Sequence, residues 1–268
     1  MRETVADPDT DLFGRDPKRI AFAMRWIERT LVPYHRAEVF GIDRIPKGKG
    51  LYVGNHSAGS MLLDIYIAGW GLYKQRGLDD IPYALAHDLV LDLPIAKQLL
   101  KPMGAVRASH ANAAKVFAAG HKLMVFPGGE METFRPFRER NKIKFGGRHG
   151  YIRLALQHNV SIIPMVGQGA HASFVVLDDL AWLAKALRTD KFLRVKTWPL
   201  TFSIPWGLTV GPPLFFLPLP VKIRVEFLKP IRFKRHGEAA AKDLAYVTEC
   251  AHKVETVMQG ALDRLAAL

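Results

Sequence analysis

With 268 residues, 49% of them hydrophobic, the chain is long enough to bury one full core, and no Ser/Gly/Pro-rich linker divides it. Lys and Arg number 38 against 25 Asp and Glu, and this formal charge of +13 favours an anionic partner such as phospholipid headgroups, nucleic acid or an anionic cofactor. A single cysteine, Cys250, excludes an internal disulfide and argues against a structural zinc site.

Met1 to Phe13 is polar and acidic and lacks the apolar core of a signal peptide, which predicts a cytoplasmic location. The first helix is predicted over Lys18–Leu31. Ile20, Met24, Ile27 and Leu31 share one face, Lys18, Arg25 and Arg29 lie nearly opposite, and Phe22 and Trp26 sit on the flank. Such a helix either packs on its own domain or lies in a membrane interface, where basic and aromatic residues gather. Pro33 is expected to close it.

Short apolar runs then alternate with helical stretches. Strands are predicted at Glu38–Ile42, Leu51–Asn55, Tyr83–Ala86, Ala105–Ala108, Leu123–Phe126, Ser161–Val166 and Lys222–Leu228. Helices are predicted between them, at Ser60–Tyr73, Pro94–Leu100, His110–Ala119, Arg148–Gln157 and Asp178–Leu187. Thr197–Val221 carries no charge and is long enough to span a bilayer. Pro199, Pro205, Pro212, Pro213, Pro218 and Pro220 each remove a backbone donor, so no continuous helix is expected there. A last helix, Glu238–Ala266, places Leu244, Val247, Ala251, Val254, Met258 and Leu265 on one stripe that reads as core or dimer contact. The pattern predicts an α/β fold with a mostly parallel central sheet flanked by helices. Residues 1–36 form the tail and amphipathic helix, and 37–268 form a single α/β domain that ends in a helix.

Open α/β sheets place their chemistry at the carboxyl ends of strands. At one such end stand Asn55, His56 and, a little further on, Asp64. A carboxylate that holds one imidazole nitrogen leaves the other free to accept a proton from a hydroxyl; the competing account is a histidine that merely caps the next helix. An unbroken helix from His56 would carry Asp64 about 12 Å along its axis, so the pair needs Ser57–Gly59 to be a loop with the helix starting near Ser60. A second end reads Phe126-Pro127-Gly128-Gly129-Glu130-Met131-Glu132. The glycines suit close approach to a ligand and the carboxylates suit an acceptor's hydroxyls, although a plain turn with solvated acids fits equally. The third, Ile163 to His171, suits a pocket wall and not catalysis. Arg107, at a strand, either reaches a phosphate or makes an ordinary surface ion pair.

Taken in order, Asn55-His56 to Asp64, Gly104 to Arg107, Phe126-Pro127-Gly128-Gly129 and Ile163-Pro164 resemble the four blocks of the glycerolipid (lysophospholipid) acyltransferase superfamily. Phe145 to Ala155 is similar to the segment such proteins place before the fourth block. The resemblance implies transfer of an acyl group from acyl-CoA or acyl carrier protein to a lipid hydroxyl, without a covalent acyl-enzyme or bound cofactor. His56 is the general base, Asp64 its partner, and backbone N–H groups hold the oxyanion. Asn55, Arg107, Phe126, Pro127, Gly128, Gly129, Glu130 and Glu132 make up the substrate-binding set.

Two departures matter. Seven residues separate His56 from Asp64, more than the family's usual first block allows. Gly128 and Met131 stand where the third block usually has Glu and Arg, which are associated with a glycerol-phosphate acceptor. The Phe-Pro-Gly-Gly form with a later acid, here Glu132, is similar to the diacylglycerol- and phytol-acylating branch and favours a neutral alcohol, with Arg107, Arg135 and Arg140 left as candidate phosphate contacts. A lipid substrate also accounts for the basic helix and for the apolar stretch with Trp198, Phe202, Trp206, Phe215 and Phe216, which would dip into the interface or line an acyl tunnel; the alternative for the stretch is an extended hairpin packed on the sheet. The expected place is the cytoplasmic face of a membrane, peripheral or monotopic, on anionic lipid. The chemistry needs no metal. A thioesterase or lipid hydrolase and a catalytically inactive lipid-binding relative are the alternatives. A Gly-x-Ser-x-Gly turn is lacking, and so are zinc-finger or ribonucleoprotein motifs, which argues against nucleic acid.

Overall fold

The computed structural model describes residues 14–57, 59–86, 91–92, 94–189, 196–211, 213 and 216–268. The expectations placed on Met1–Phe13 and on Phe215 lie outside the described residues.

Helix α1 (Pro17–Arg29) starts where Asp16 accepts the Lys18 and Arg19 N–H groups and Pro17 occupies the first helical position. It ends at Arg29, earlier than expected. The Thr30 N–H turns back to the Trp26 and Ile27 carbonyls, and the chain restarts as a short helix, α2 (Leu31–Tyr34). Pro33 sits inside α2, where a first helical turn tolerates it. Ile20, Met24 and Ile27 are buried with Ile81 against Tyr66, Trp70 and Tyr73 of helix α3 (Leu63–Arg76). The apolar stripe of α1 thus belongs to the domain, whereas Trp26 on its flank and Phe22 on the opposite face are exposed.

The central sheet has seven strands in the order β1 (Glu38–Phe40), β10 (Arg224–Phe227), β6 (Ile162–Gln168), β2 (Gly50–Gly54), β5 (Lys122–Val125), β3 (Tyr83–Ala86) and β4 (Ala105–Arg107). Its pairs are parallel apart from β10 against β6. All seven expected strands are present. β2 is buried along its whole length, as a central strand covered on both faces must be. Its side chains alternate between two cores. Leu51 and Val53 face helices α5 (His110–Ala118), α7 (Gly150–Gln157) and α10 (Leu244–Ala266), while Tyr52 faces Leu63 and Ile67 of α3.

Three expectations are corrected. The single C-terminal helix is two, α9 (Glu238–Lys242) and α10, because Asp243 is extended and its carboxylate caps Tyr246. Leu244, expected on the buried stripe, opens α10 and is exposed. The predicted helix Asp178–Leu187 begins as strand β7 (Val175–Asp178), and only Ala181–Ala186 is helical (α8), after Asp178 and Asp179 accept the N–H groups of Leu180 and Ala181. Thr197–Val221 contributes β8 (Leu200–Ser203) and β9 (Gly207–Val210), which join β7 in a second, antiparallel sheet. Among the described residues no helix is long and apolar enough to cross a membrane.

Arg15 fastens the N-terminal helix to the sheet. It is buried, donates from Nη1 to the Ile81 carbonyl (3.1 Å) and from Nη2 to the Leu78 carbonyl (2.5 Å), and lies 4.9 Å from the centre of the Tyr83 ring. Arg15→Ala removes these bonds and leaves buried carbonyls bare, so urea unfolding should show a loss of about 2–4 kcal/mol. A loss below about 1 kcal/mol would mean that α1 holds by its apolar stripe alone.

Candidate active site

Register brings the first and third blocks together. β2 and β5 are parallel neighbours with Val53 opposite Val125, so both chains leave the sheet side by side at their carboxyl ends. Asn55 comes first and is fully buried. Its amide donates to the Gly167 carbonyl (2.9 Å) and accepts the Gly167 N–H (2.8 Å), which staples the end of β2 to β6. Both ends of that side chain are occupied, so Asn55 acts on structure rather than on a ligand.

His56 follows, with its ring centre 5.1 Å from that of Phe126. Its main chain is held from both sides: the N–H donates to Glu132 Oε2 (2.9 Å), and the carbonyl accepts from Arg135 Nη1 (2.8 Å). Burial, aided by the Arg135 guanidinium, lowers the imidazole to about 4, so at pH 7 it is neutral and able to take a proton. Nδ1 is buried without a partner.

After His56 the chain makes a 3-10 turn over Gly59–Met61, passes Leu62 in the left-handed region, and enters α3 at Leu63. The helix therefore starts later than Ser60, but the required break is there. Asp64 falls in the first turn, fully buried. Oδ1 accepts the Ile65 N–H (3.0 Å), while Oδ2 has no partner, and burial raises the carboxyl to about 7. No hydrogen bond joins His56 to Asp64 in this structure; the two share the influence of Arg135.

Glu132 differs from its expected role. It does not present its oxygens to an acceptor but is fully buried in helix α6 (Gly129–Thr133) beneath the histidine loop. Oε2 takes the His56 N–H and Oε1 the Lys144 N–H (3.1 Å). Burial raises this carboxyl to about 7 against the pull of Arg135. The glycine pair explains the fit. A Cβ on Gly128 would lie 2.3 Å from Glu132 Oε2, and one on Gly129 would lie 2.7 Å from Arg148 Nη1. The glycines make room for the protein's own side chains, and Arg148 closes the turn by donating to the Pro127 and Gly128 carbonyls (3.1 and 2.9 Å). Glu130 points elsewhere, accepting the Lys196 N–H at 3.3 Å.

Arg135 is likewise not a phosphate contact. It is buried and donates to the carbonyls of His56, Glu132 (2.5 Å), Glu139 (3.0 Å) and Arg140 (2.6 Å). Its own carbonyl accepts from Nε2 of His171, a ring that burial lowers to about 3 and so keeps neutral. Arg140 donates to the Phe137 carbonyl and stacks on the Phe137 ring. Arg107 is not brought to His56. It stands at the β4 edge, three strands or about 14 Å from β2. There it pairs with Asp92 (2.8 Å) and borders a cavity of about 680 Å³ together with Arg19, Lys97 and Lys101. The sequence reading missed Arg148, Lys144 and the tie from His171 to Arg135. The one signal available was Phe134-Arg135-Pro136-Phe137, an arginine set among aromatics and proline.

Residues 36–168 match the acyltransferase family model. An uncharacterized protein of Mycobacterium tuberculosis is 28% identical over 98% of this chain and 71% of its own length. The mouse (Mus musculus) DGAT1/2-independent enzyme synthesizing storage lipids is 26% identical over 93% of this chain and 66% of its own. Among solved structures, the 1-acyl-sn-glycerophosphate (LPA) acyltransferase PlsC of Thermotoga maritima superposes with a TM-score of 0.56 at 18% identity, covering 93% of this chain and 80% of that one, a likeness of fold.

Glu132→Ala should lose about 3–5 kcal/mol in urea unfolding, because it strands two main-chain donors and the buried Arg135 charge. Glu132→Gln, which keeps the shape and one acceptor, should lose about 1–3 kcal/mol. Equal losses would mean that Glu132 acts by volume alone. Asp64 gives a signed pH effect. With a folded value of about 7 against an ordinary 3.8, its contribution to stability is full below pH 3.8 and is lost as pH rises through 7. Asp64→Asn cannot ionise, so its stability relative to wild type should climb between pH 4 and 7 by on the order of 1.4 kcal/mol per unit. A flat difference would place Asp64 in contact with water.

Proposed function

We infer that this chain, which belongs to the glycerolipid acyltransferase superfamily, moves a fatty acyl group from the thioester of acyl-CoA or acyl carrier protein to the hydroxyl of a neutral glycerolipid at a membrane surface. The observation that carries this reading is a neutral imidazole at the carboxyl end of the central strand, held through its main chain by Glu132 and Arg135, which follow the Phe-Pro-Gly-Gly turn.

His56 removes the proton of the acceptor hydroxyl as its oxygen attacks the thioester carbonyl carbon. The carbon–sulfur bond then breaks, the thiolate takes the proton from the imidazolium, and ester and thiol leave. Asp64 Oδ2 and His56 Nδ1, both buried and both without partners, are the atoms that would pair as the imidazole gains charge. A neutral acceptor is supported by the cations packed around the third block. Arg135 and Arg148 donate to main-chain carbonyls, and Gly128 stands where a phosphate-associated Glu would be. Storage-lipid synthesis in the name of the mouse relative points the same way. Peripheral membrane contact is supported by α1, whose exposed Phe22 and Trp26 lie beside Arg25 and Arg29.

Detergent-solubilised protein given labelled long-chain acyl-CoA should label diacylglycerol or a long-chain alcohol in preference to lysophosphatidic acid and other lysophospholipids. His56→Ala should lower that product by at least about 100-fold. Free fatty acid as the main product would make the chain a hydrolase. Preference for lysophosphatidic acid would return the acceptor to the phosphorylated class. No turnover with either CoA or carrier-protein donors would remove catalysis.

A further inference from the structure

The second sheet is built inside out. Phe202 (50% exposed), Leu208 (62%) and Val210 (56%) face away from the protein, with Trp206 (60%) in the turn between β8 and β9, while Thr201 (0%) and Ser203 (3%) face inward. Strand pairing sets this arrangement. Phe202 stands opposite Leu208 and Leu200 opposite Val210 on the outer face, and Thr201 stands opposite Thr209 on the inner one. A slip of one residue would exchange the faces and bury the apolar set, as a water-facing sheet does. The observed register instead leaves Thr201 and Thr209 bonded to each other at 2.9 Å and Ser203 Oγ buried without a partner.

The surroundings limit what can cover this face. Thr197–Val221 contains no charged residue, and Lys196 and Lys222 bound it at either end. The strip is also tied to the N-terminal helices: Tyr34 Oη, His35 Nδ1 and Arg36 Nη2 donate to the carbonyls of Pro218, Val221 and Pro220 at 2.8, 3.0 and 2.7 Å. On the protein side, Phe174 and Phe216, with ring centres 4.8 Å apart, pack with Val176, Met61 and Phe134. That cluster joins the sheet to the turn between His56 and Asp64.

We propose that the outer face of β8 and β9 seats in the acyl region of a phospholipid monolayer and is the surface through which lipid reaches the site; this rests on the lipid-acyltransferase reading above. Hydrocarbon accepts an uncharged face of large apolar side chains, an aromatic at the turn suits the interface, and lysines at the two ends suit lipid phosphates. A second copy of the chain offers a matching apolar face but brings its own +13 charge against the first. β9 is an edge strand whose outer main-chain groups must remain hydrated, so the seat is shallow.

Flotation of the full chain with phosphatidylcholine vesicles, with and without phosphatidylglycerol, tests this. The triple variant Phe202→Ser, Leu208→Ser, Val210→Ser should bind both vesicle types at least tenfold more weakly while melting no lower than wild type. A polarity-sensitive fluorophore on Leu208→Cys should shift to the blue when vesicles are added. If the triple variant melts lower, the fluorophore decides. Unchanged flotation of a folded triple variant would overturn the proposal, as would a fluorophore that stays in water while the chain floats. A dimer that becomes monomeric in the variant with vesicle affinity unchanged would assign the face to a second copy and overturn it as well. Flotation is read without turnover. A chain that floats through this face yet transfers no acyl group refutes the proposed activity and leaves the surface standing; active protein that floats independently of the face refutes the surface alone.

Discussion

One carboxylate and one guanidinium beneath the histidine loop set the geometry on which the site depends. Glu132 binds the N–H of His56 and Arg135 binds its carbonyl, and neither residue is exposed to water. Both reach main chain rather than each other's side chains. Glu132 also takes Lys144, and Arg135 gathers the carbonyls of Glu132, Glu139 and Arg140. Buried charges are costly to desolvate, and hydrogen bonds to charged groups recover more than neutral ones do. The result is a loop whose backbone is fixed through the N–H and carbonyl of His56 rather than through its ring.

The same guanidinium sets the electrostatics. It opposes a proton on His56 and His171 and favours the charged forms of Asp64 and Glu132, while burial raises both carboxyls. Burial prevails for the acids and acts together with Arg135 on the imidazoles, so the cluster is driven towards neutral rings beside carboxyls that titrate close to pH 7. That balance suits a base that starts uncharged and gains charge only as a proton moves. It also explains why a second strong cation would be unwelcome: it would lower the imidazole further and weaken it as a base.

Much of the frame was legible because its signals are local. Buried strands read as short apolar runs, and all seven strands of the main sheet lie where the runs lie. The junction of His56 with Phe126–Gly129 followed from parallel order once β2 and β5 were known to be neighbours. The rest failed for physical reasons. Asn55 and Glu132 looked like ligand contacts because sequence shows a polar side chain without its partner, and their partners, Gly167 and the N–H groups of His56 and Lys144, are main-chain groups with no signature of their own. Arg135 looked like a phosphate contact for the same reason. The hairpin Leu200–Val210 was open to the sequence only as an alternative, because alternation in Leu200–Ser203 and Leu208–Val210 marks strands without saying which set faces inward, and here the apolar set faces out.

Charge separates the surface of this protein from its centre. The formal excess of +13 is carried largely by exposed residues such as those of α1 and the rim of the β4 cavity, where Arg19, Lys97, Lys101 and Arg107 meet. Near His56, by contrast, the arginines close upon the protein's own carbonyls, and the glycine turn is packed against Glu132 and Arg148. Basic residues outside act on charged surroundings over a Debye length, whereas burial around His56 keeps the imidazole neutral and moves the two carboxyls towards neutrality. The proposed transfer to an uncharged hydroxyl would use both, in different places. The basic edge at β4 lies three strands, about 14 Å by strand spacing, from β2, so its cations act on His56 far less than the adjoining Arg135 does.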